Sequence, residues 1–227
     1  LTENVDLANL DYEKLLLTIR EDELISPWLP EREVRIDPRN GERILYSTAR
    51  ARRPITTMPT SEEDKPEERD EESCPLCNGD TTSFIDVMPL SQGHTLINKN
   101  LYPALYPFAV NENFEQDQVV GSHFLQWSST IHGQDIHTMS QADGRIVIDR
   151  LALLEMKLLH QNSNDEHKGF VGIIKNYGFL AGGSLSHGHQ QVVHSNVMPR
   201  KIVEDYNYLE KHNEPFAQFL NRRNDSS

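Results

Sequence analysis

The sequence is short of cysteine, of positive charge and of long apolar runs, and each shortage excludes something. Lysine and arginine number 22 against 35 aspartates and glutamates, a formal net charge of -13. A general nucleic-acid-binding role is excluded on that balance, because phosphate backbones need a basic surface. A small anionic substrate remains open if the site supplies its own local cations. No apolar run has membrane-spanning length and no basic-then-apolar leader opens the sequence, so a cytoplasmic location without membrane attachment is expected. The two cysteines, Cys74 and Cys77, are spaced C-x-x-C. Cys-Pro-Leu-Cys-Asn-Gly lacks the strand-then-helix setting of a thioredoxin-type pair, and in a chain with 10 histidines the metal reading is the better one.

What is present fits a globular chain on the polar side, 37% hydrophobic and 25% charged, with length enough to bury a core. Residues 7–25 have apolar residues at helical spacing and predict a peripheral helix within 1–30. Asp37-Pro-Arg-Asn-Gly41 is a turn signal between two extended runs, so a β-hairpin is expected there, followed by the basic cluster at 50–53. Residues 61–73 are mostly acidic without a large apolar side chain and read as a solvated loop. The runs from Gly93, from Gln118, from Gly169 and from His187 read as strands. Residues 140–161 have a strong helical pattern with Ser140 or Asp143 as N-cap, and 203–220 read as a helical tail. No repeat is visible. The expectation is α+β, an antiparallel sheet with flanking helices, in one domain over 1–227.

The most informative stretch runs from Lys175 to Gln191. Gly178, Gly182 and Gly183 let backbone approach a ligand closely and free N–H groups to cradle phosphate oxygens. In an extended segment residues i and i+2 share a side, so His187 and His189 can serve one site, with Gln191 on the same face as a donor to phosphate. A neutral imidazole is a competent nucleophile towards phosphorus.

These residues resemble the galactose-1-phosphate uridylyltransferases, in the histidine-triad-like superfamily, whose active-site pattern is N-x-G-x-x-x-G-x-S-x-x-H-x-H-x-Q. Asn176, Gly178, Gly182, Ser184, His187, His189 and Gln191 fall on it without a gap. The resemblance implies His189 as nucleophile and His187 as a zinc ligand. Three further segments match in order, and the resemblance implies a catalytic core at about 34–199. The run Tyr46 to Pro54 resembles S-x-x-R-x-x-R-P and implies Arg50 and Arg53 on the nucleotide phosphates. Cys74 and Cys77 resemble the family's zinc-binding pair. The run Asn98 to Leu105 implies Asn100 at the nucleoside. His132, in a run resembling D-H-S-x-x-L, is the implied fourth zinc ligand, with His137 as competitor; the remaining histidines, His123 among them, match nothing. A closed Cys2His2 zinc site is structural by its ligand count.

The sequence departs from the family at Ser186 and Gly188, where P-H-P-H is usual, and at Leu101, a position often acidic. It also has features of the related nucleotide-sugar and diadenosine-polyphosphate phosphorylases, and it reads as ending soon after the first of the family's two halves. The resemblance implies transfer of a nucleoside monophosphate, UMP first, between a nucleotide sugar and a hexose 1-phosphate through a nucleotidyl-histidine. The alternatives are a phosphorylase of an adenine nucleotide using inorganic phosphate, and a non-catalytic zinc-stabilised nucleotide-binding protein. A homodimer is expected by resemblance alone.

Overall fold

In the computed structural model the described residues are 5–31, 33–52, 71–107, 119–160, 169–177, 181, 183 and 185–224. Most of the acidic segment, and Arg53, Gly178, Gly182 and Ser184 among the expected site residues, lie outside them.

The centre is a five-stranded antiparallel sheet of order β3-β4-β5-β7-β6. Its strands are β3 (Phe84–Pro89), β4 (His94–Lys99), β5 (Gly121–Trp127), β6 (Phe170–Ile174) and β7 (His189–Ser195). A separate hairpin joins β1 (Val34–Ile36) to β2 (Arg43–Leu45) around the expected turn. The helices are α1 (Tyr12–Arg20), α2 (Thr48–Ala51), α3 (Pro75–Asn78), α4 (Gln141–His160), α5 (Arg200–His212) and α6 (Phe216–Asn224). The arrangement is the expected mixed fold. Among the described residues, no helix is long and apolar enough to cross a membrane.

One sheet face is covered. Ile97, Phe124, Val171 and Val192 pack there against Leu151, Leu154 and Leu158 of α4. Ser140 caps that helix, its hydroxyl accepting the Asp143 N–H at 3.1 Å, which decides between the two expected caps. The other face is set by the β5–β7 register, which places Trp127 opposite His189, Leu125 opposite Gln191 and His123 opposite Val193. Strand alternation therefore delivers all six to the side that α4 leaves uncovered, where Trp127 and His123 are nonetheless buried.

Three expectations are corrected. The N-terminal segment is not a peripheral helix: Leu7, Leu15, Ile19 and Ile25 belong to the core. Nor is it one helix, because Asp6 caps a short 3-10 turn and Asp11 starts α1 by accepting the Lys14 N–H. The tail is two helices, since Asn213 takes a left-handed conformation after α5 and Pro215 follows. Strand β3 was not read from the sequence at all. Asp86 interrupts its apolar pattern, yet Asp86 is fully buried, accepting the Leu7 N–H at 3.0 Å and pairing with Arg150 of α4.

That pair ties the N-terminal segment, the sheet edge and α4 together, with Asp6 also on Arg150 at 2.7 Å. Removing the cation would strand a buried carboxylate, so Arg150→Ala is expected to cost about 3–5 kcal/mol of stability. Arg145→Ala, which breaks an exposed helical pair with Asp149, is expected to cost less than about 1 kcal/mol. Denaturant unfolding of the two variants checks the difference.

Candidate active site and metal centre

Two clusters flank the start of β7. The first gathers Cys74, Cys77, His132 and His187, whose ligand atoms all lie within 4.8 Å of one another. Cys74 and Cys77 sit at either end of the first turn of α3, where Pro75 opens the helix and Gly79 closes it in a left-handed conformation. His187 Nδ1 is 3.4 Å from Cys74 Sγ and 3.6 Å from Cys77 Sγ, and His132 Nδ1 is 3.4 Å from Cys77 Sγ. A tetrahedral zinc with its usual Zn–S and Zn–N lengths sets S···N edges of roughly 3.5 Å, so the spacing fits. The tautomer fits too. His187 Nε2 donates to the Ser129 carbonyl at 2.8 Å, which leaves the Nδ1 lone pair facing the sulfurs. His137, the competing candidate, instead meets the Tyr177 hydroxyl at 3.2 Å.

The two thiols differ in acidity. Burial would raise the Cys74 thiol, but hydrogen bonds with His187 and with the Cys77 N–H and side chain outweigh it and bring it down to about 6. Burial and the neighbouring Cys74 push Cys77 up to about 11. The pair gives up one proton readily and resists losing the second, a resistance that a divalent ion would offset.

The second cluster is built on the uncovered face. His189 opens β7, half-buried, with its ring 5.4 Å from that of Trp127. Its Nδ1 lies 2.8 Å from the His187 carbonyl oxygen. A carbonyl can only accept, so Nδ1 carries the proton and Nε2 keeps its lone pair. Burial holds His189 below the usual imidazole range, which keeps it neutral at neutral pH.

Gln191 is next on that face. Arg50 reaches it from α2, which Ser47 caps, donating to Gln191 Oε1 at 3.1 Å and to the Tyr102 carbonyl at 2.8 Å. His123 Nε2 is 3.2 Å from the same Gln191 oxygen, and the Asn100 carboxamide nitrogen lies 3.1 Å from His123 Nε2. A cleft of ≈ 440 Å³ opens here, lined by Arg50, His123 and Gln191 and further along by Arg43, Val193 and Arg200. The structure thus joins Arg50, Asn100 and Gln191 through His123, a residue the sequence reading set aside. Asn176 is exposed and Gly183 half-buried on the β6–β7 connection, and among the described residues no hydrogen bond ties either to His189.

Gly188, one of the departures from the family pattern, has a local cause. A Cβ there would stand 2.5 Å from Cγ of Asp135. Asp135 is buried; burial would raise its carboxyl, but Lys175, Ser128 and the Ile136 N–H outweigh that and hold it below the usual carboxylate range.

The family model described as Galactose-1-phosphate uridyl transferase, N-terminal domain, matches residues 25–199. The chain belongs to that family. Among curated proteins it is similar to an ADP-glucose phosphorylase of Arabidopsis thaliana, 25% identical over 184 residues that make up 75% of this chain and 50% of that one. Two solved structures share the fold. A uridylyltransferase, 19% identical, has a TM-score of 0.51 and is matched over 82% of this chain and 54% of its own. A mutant uridylyltransferase, 20% identical, gives 0.51 over 80% and 52%. The chain spans about half the length of these relatives.

Cys74→Ser is expected to abolish binding of about one zinc per chain and to lower the melting temperature, because the ligands link segments far apart in sequence. His137→Ala is expected to keep full metal content. Metal analysis of the two purified variants, with thermal unfolding, checks both.

Proposed function

We propose that the chain carries the nucleophilic half-site of a nucleotidyltransferase, with His189 Nε2 attacking the α-phosphorus of a nucleotide sugar. One observation carries this reading: the His189 Nδ1–H bond to the His187 carbonyl, which aims the unprotonated Nε2 away from the backbone. The Nε2–P bond forms as the bond from phosphorus to the sugar 1-phosphate oxygen breaks. No proton need leave the imidazole. Nδ1 keeps its hydrogen, the ring becomes cationic, and the bond to the His187 carbonyl becomes charge-assisted. An acceptor phosphate oxygen then attacks phosphorus, Nε2 departs with its lone pair, and the neutral ring is restored.

Arg50, Gln191 and, by resemblance, Arg53, Asn176, Ser184 and the amides of Gly182 and Gly183 would stabilise charge on the non-bridging oxygens, with Asn100 at the nucleoside. Cys74, Cys77, His132 and His187 would hold zinc. With all four positions taken by protein the ion would act structurally, fixing His187 beside the nucleophile. Uridine with hexose 1-phosphates is the first choice of substrate. The likeness to an ADP-glucose phosphorylase favours a second, an adenine nucleotide sugar with inorganic phosphate as acceptor.

The test is covalent labelling. Protein incubated with UDP-glucose or ADP-glucose, labelled in the nucleotide and without acceptor, is expected to retain label through alkali and lose it in mild acid, as a phosphorus–imidazole bond does. His189→Asn is expected to abolish labelling while nucleotide still binds. Adding hexose 1-phosphate or inorganic phosphate should discharge the label and identify the acceptor. A wild-type protein that never labels with either donor, or His189→Asn that labels fully, would defeat the reading.

A further inference from the structure

His123 is 3% exposed, a buried polar side chain in the wall of the cleft that no motif of the sequence claims. Its Nδ1 lies 3.0 Å from the Ala104 N–H, which can only donate. In the neutral ring Nδ1 is then the acceptor and Nε2 carries the hydrogen. That N–H meets Gln191 Oε1 at 3.2 Å, and Arg50 Nη2 donates to the same oxygen from 3.1 Å. The opposite tautomer would set an N–H against the Ala104 N–H and a lone pair against the Gln191 oxygen. Among the described contacts it would satisfy the Asn100 nitrogen, 3.1 Å from Nε2, and would also turn an N–H towards Arg50 Nη1, 3.5 Å from Nδ1. Two satisfied contacts outweigh one.

The consequence falls on Gln191. Its carboxamide oxygen has two lone pairs, and His123 and Arg50 take both. An amide can turn end over end at little cost unless its partners distinguish oxygen from nitrogen. Here they do, and the N–H2 end, which no described residue takes up, is left for a ligand. A turned amide would show phosphate a carbonyl oxygen instead, replacing attraction with repulsion.

We infer that His123 is a positioning residue of the transfer site: in its Nε2–H form it locks the Gln191 amide with its N–H2 donors towards substrate phosphate. This rests on the phosphate role proposed for Gln191. It assigns His123 no contact with the reacting atoms.

The test has a structural and a kinetic arm. In a long-range 1H–15N spectrum of 15N-histidine protein, with His123 assigned by loss of its signals in His123→Gln, Nε2 is expected to be protonated and Nδ1 bare. The reverse overturns the inference. In turnover with the nucleotide sugar that labels the protein, His123→Leu is expected to lower kcat about 100-fold, the lower end of the loss of one charge-stabilising donor, with KM changed by less than about threefold. Gln191→Ala is expected to lose as much, and the double variant no more than Gln191→Ala alone. Losses that multiply would mean that His123 acts elsewhere and would overturn the inference. His123→Gln replaces His123→Leu in the cycle if the latter does not fold. Should no nucleotide sugar label the wild type, the proposed function fails, and the tautomer still decides for or against His123.

Discussion

The site hangs on the placement of one residue, His187, which is held on both sides of its ring and acts through its backbone. Nε2 is spent on the Ser129 carbonyl and Nδ1 faces two sulfurs and a second imidazole. With the ring fixed, the main chain at this position has little room to turn, and its carbonyl meets Nδ1 of His189. The Cys2His2 cluster and the proposed nucleophile are therefore coupled through a single peptide unit. A closed four-ligand ion can influence the chemistry without touching substrate, by fixing which nitrogen of the neighbouring imidazole is bare.

Local geometry also reconciles an acidic chain with the proposed phosphate-bearing substrate. The net charge of -13 belongs to the whole surface, whereas the cleft is lined by Arg43, Arg50 and Arg200 together with Glu42. Fields inside a cleft with low-dielectric walls are set by the nearest charges, so the global sign need not repel an anion that has reached it. Arg50 cannot swing freely to do this work. Its guanidinium is bonded to the Tyr102 carbonyl and to Gln191, so its charge is held in place before any ligand enters.

The legible part of the site was the part carried by strand parity. His189 and Gln191 lie two apart within β7, where nothing disturbs the alternation, and His187 lies in the bend two residues ahead of it. The C-x-x-C needed only one turn of helix. His132 and His137 could not be separated by spacing, because both lie on the connection leaving β5, and only the fold sends one to the sulfurs and the other to Tyr177. His123 was missed for a related reason. Its neighbours on the same face of β5 are Leu125 and Trp127, so no polar stripe on that face marks it. Strand β3 was hidden by Asp86, whose burial is intelligible only with Arg150, 64 positions away. The N-terminal segment misled because helical periodicity survives across Asp6 and Asp11, although each carboxylate starts a new element by capping it.

Gly188 shows how the same backbone can be stiffened by other means. Between the two histidines of H-x-H the family usually places proline, which fixes φ through its ring. Glycine does the opposite, adding conformational freedom worth about 0.5–1 kcal/mol relative to alanine in regular structure. Here that freedom is opposed from outside. Asp135 fills the space a side chain would occupy. Its carboxylate is pinned by the Ser128 hydroxyl at 2.6 Å and by Lys175 at 2.7 Å. Ser128 ends β5, and its N–H donates to the Gly188 carbonyl at 2.9 Å, so the strand next door and the loop beyond it hold the glycine from two directions. Lys175 leads directly into Asn176 and the glycine-rich connection, while Asp135 follows His132 by three residues. One ion pair, buried at its carboxylate end, therefore spans the loop that carries His132, the H-x-H segment and the start of the glycine-rich connection. The rigidity that proline supplies within one residue is here distributed over three segments.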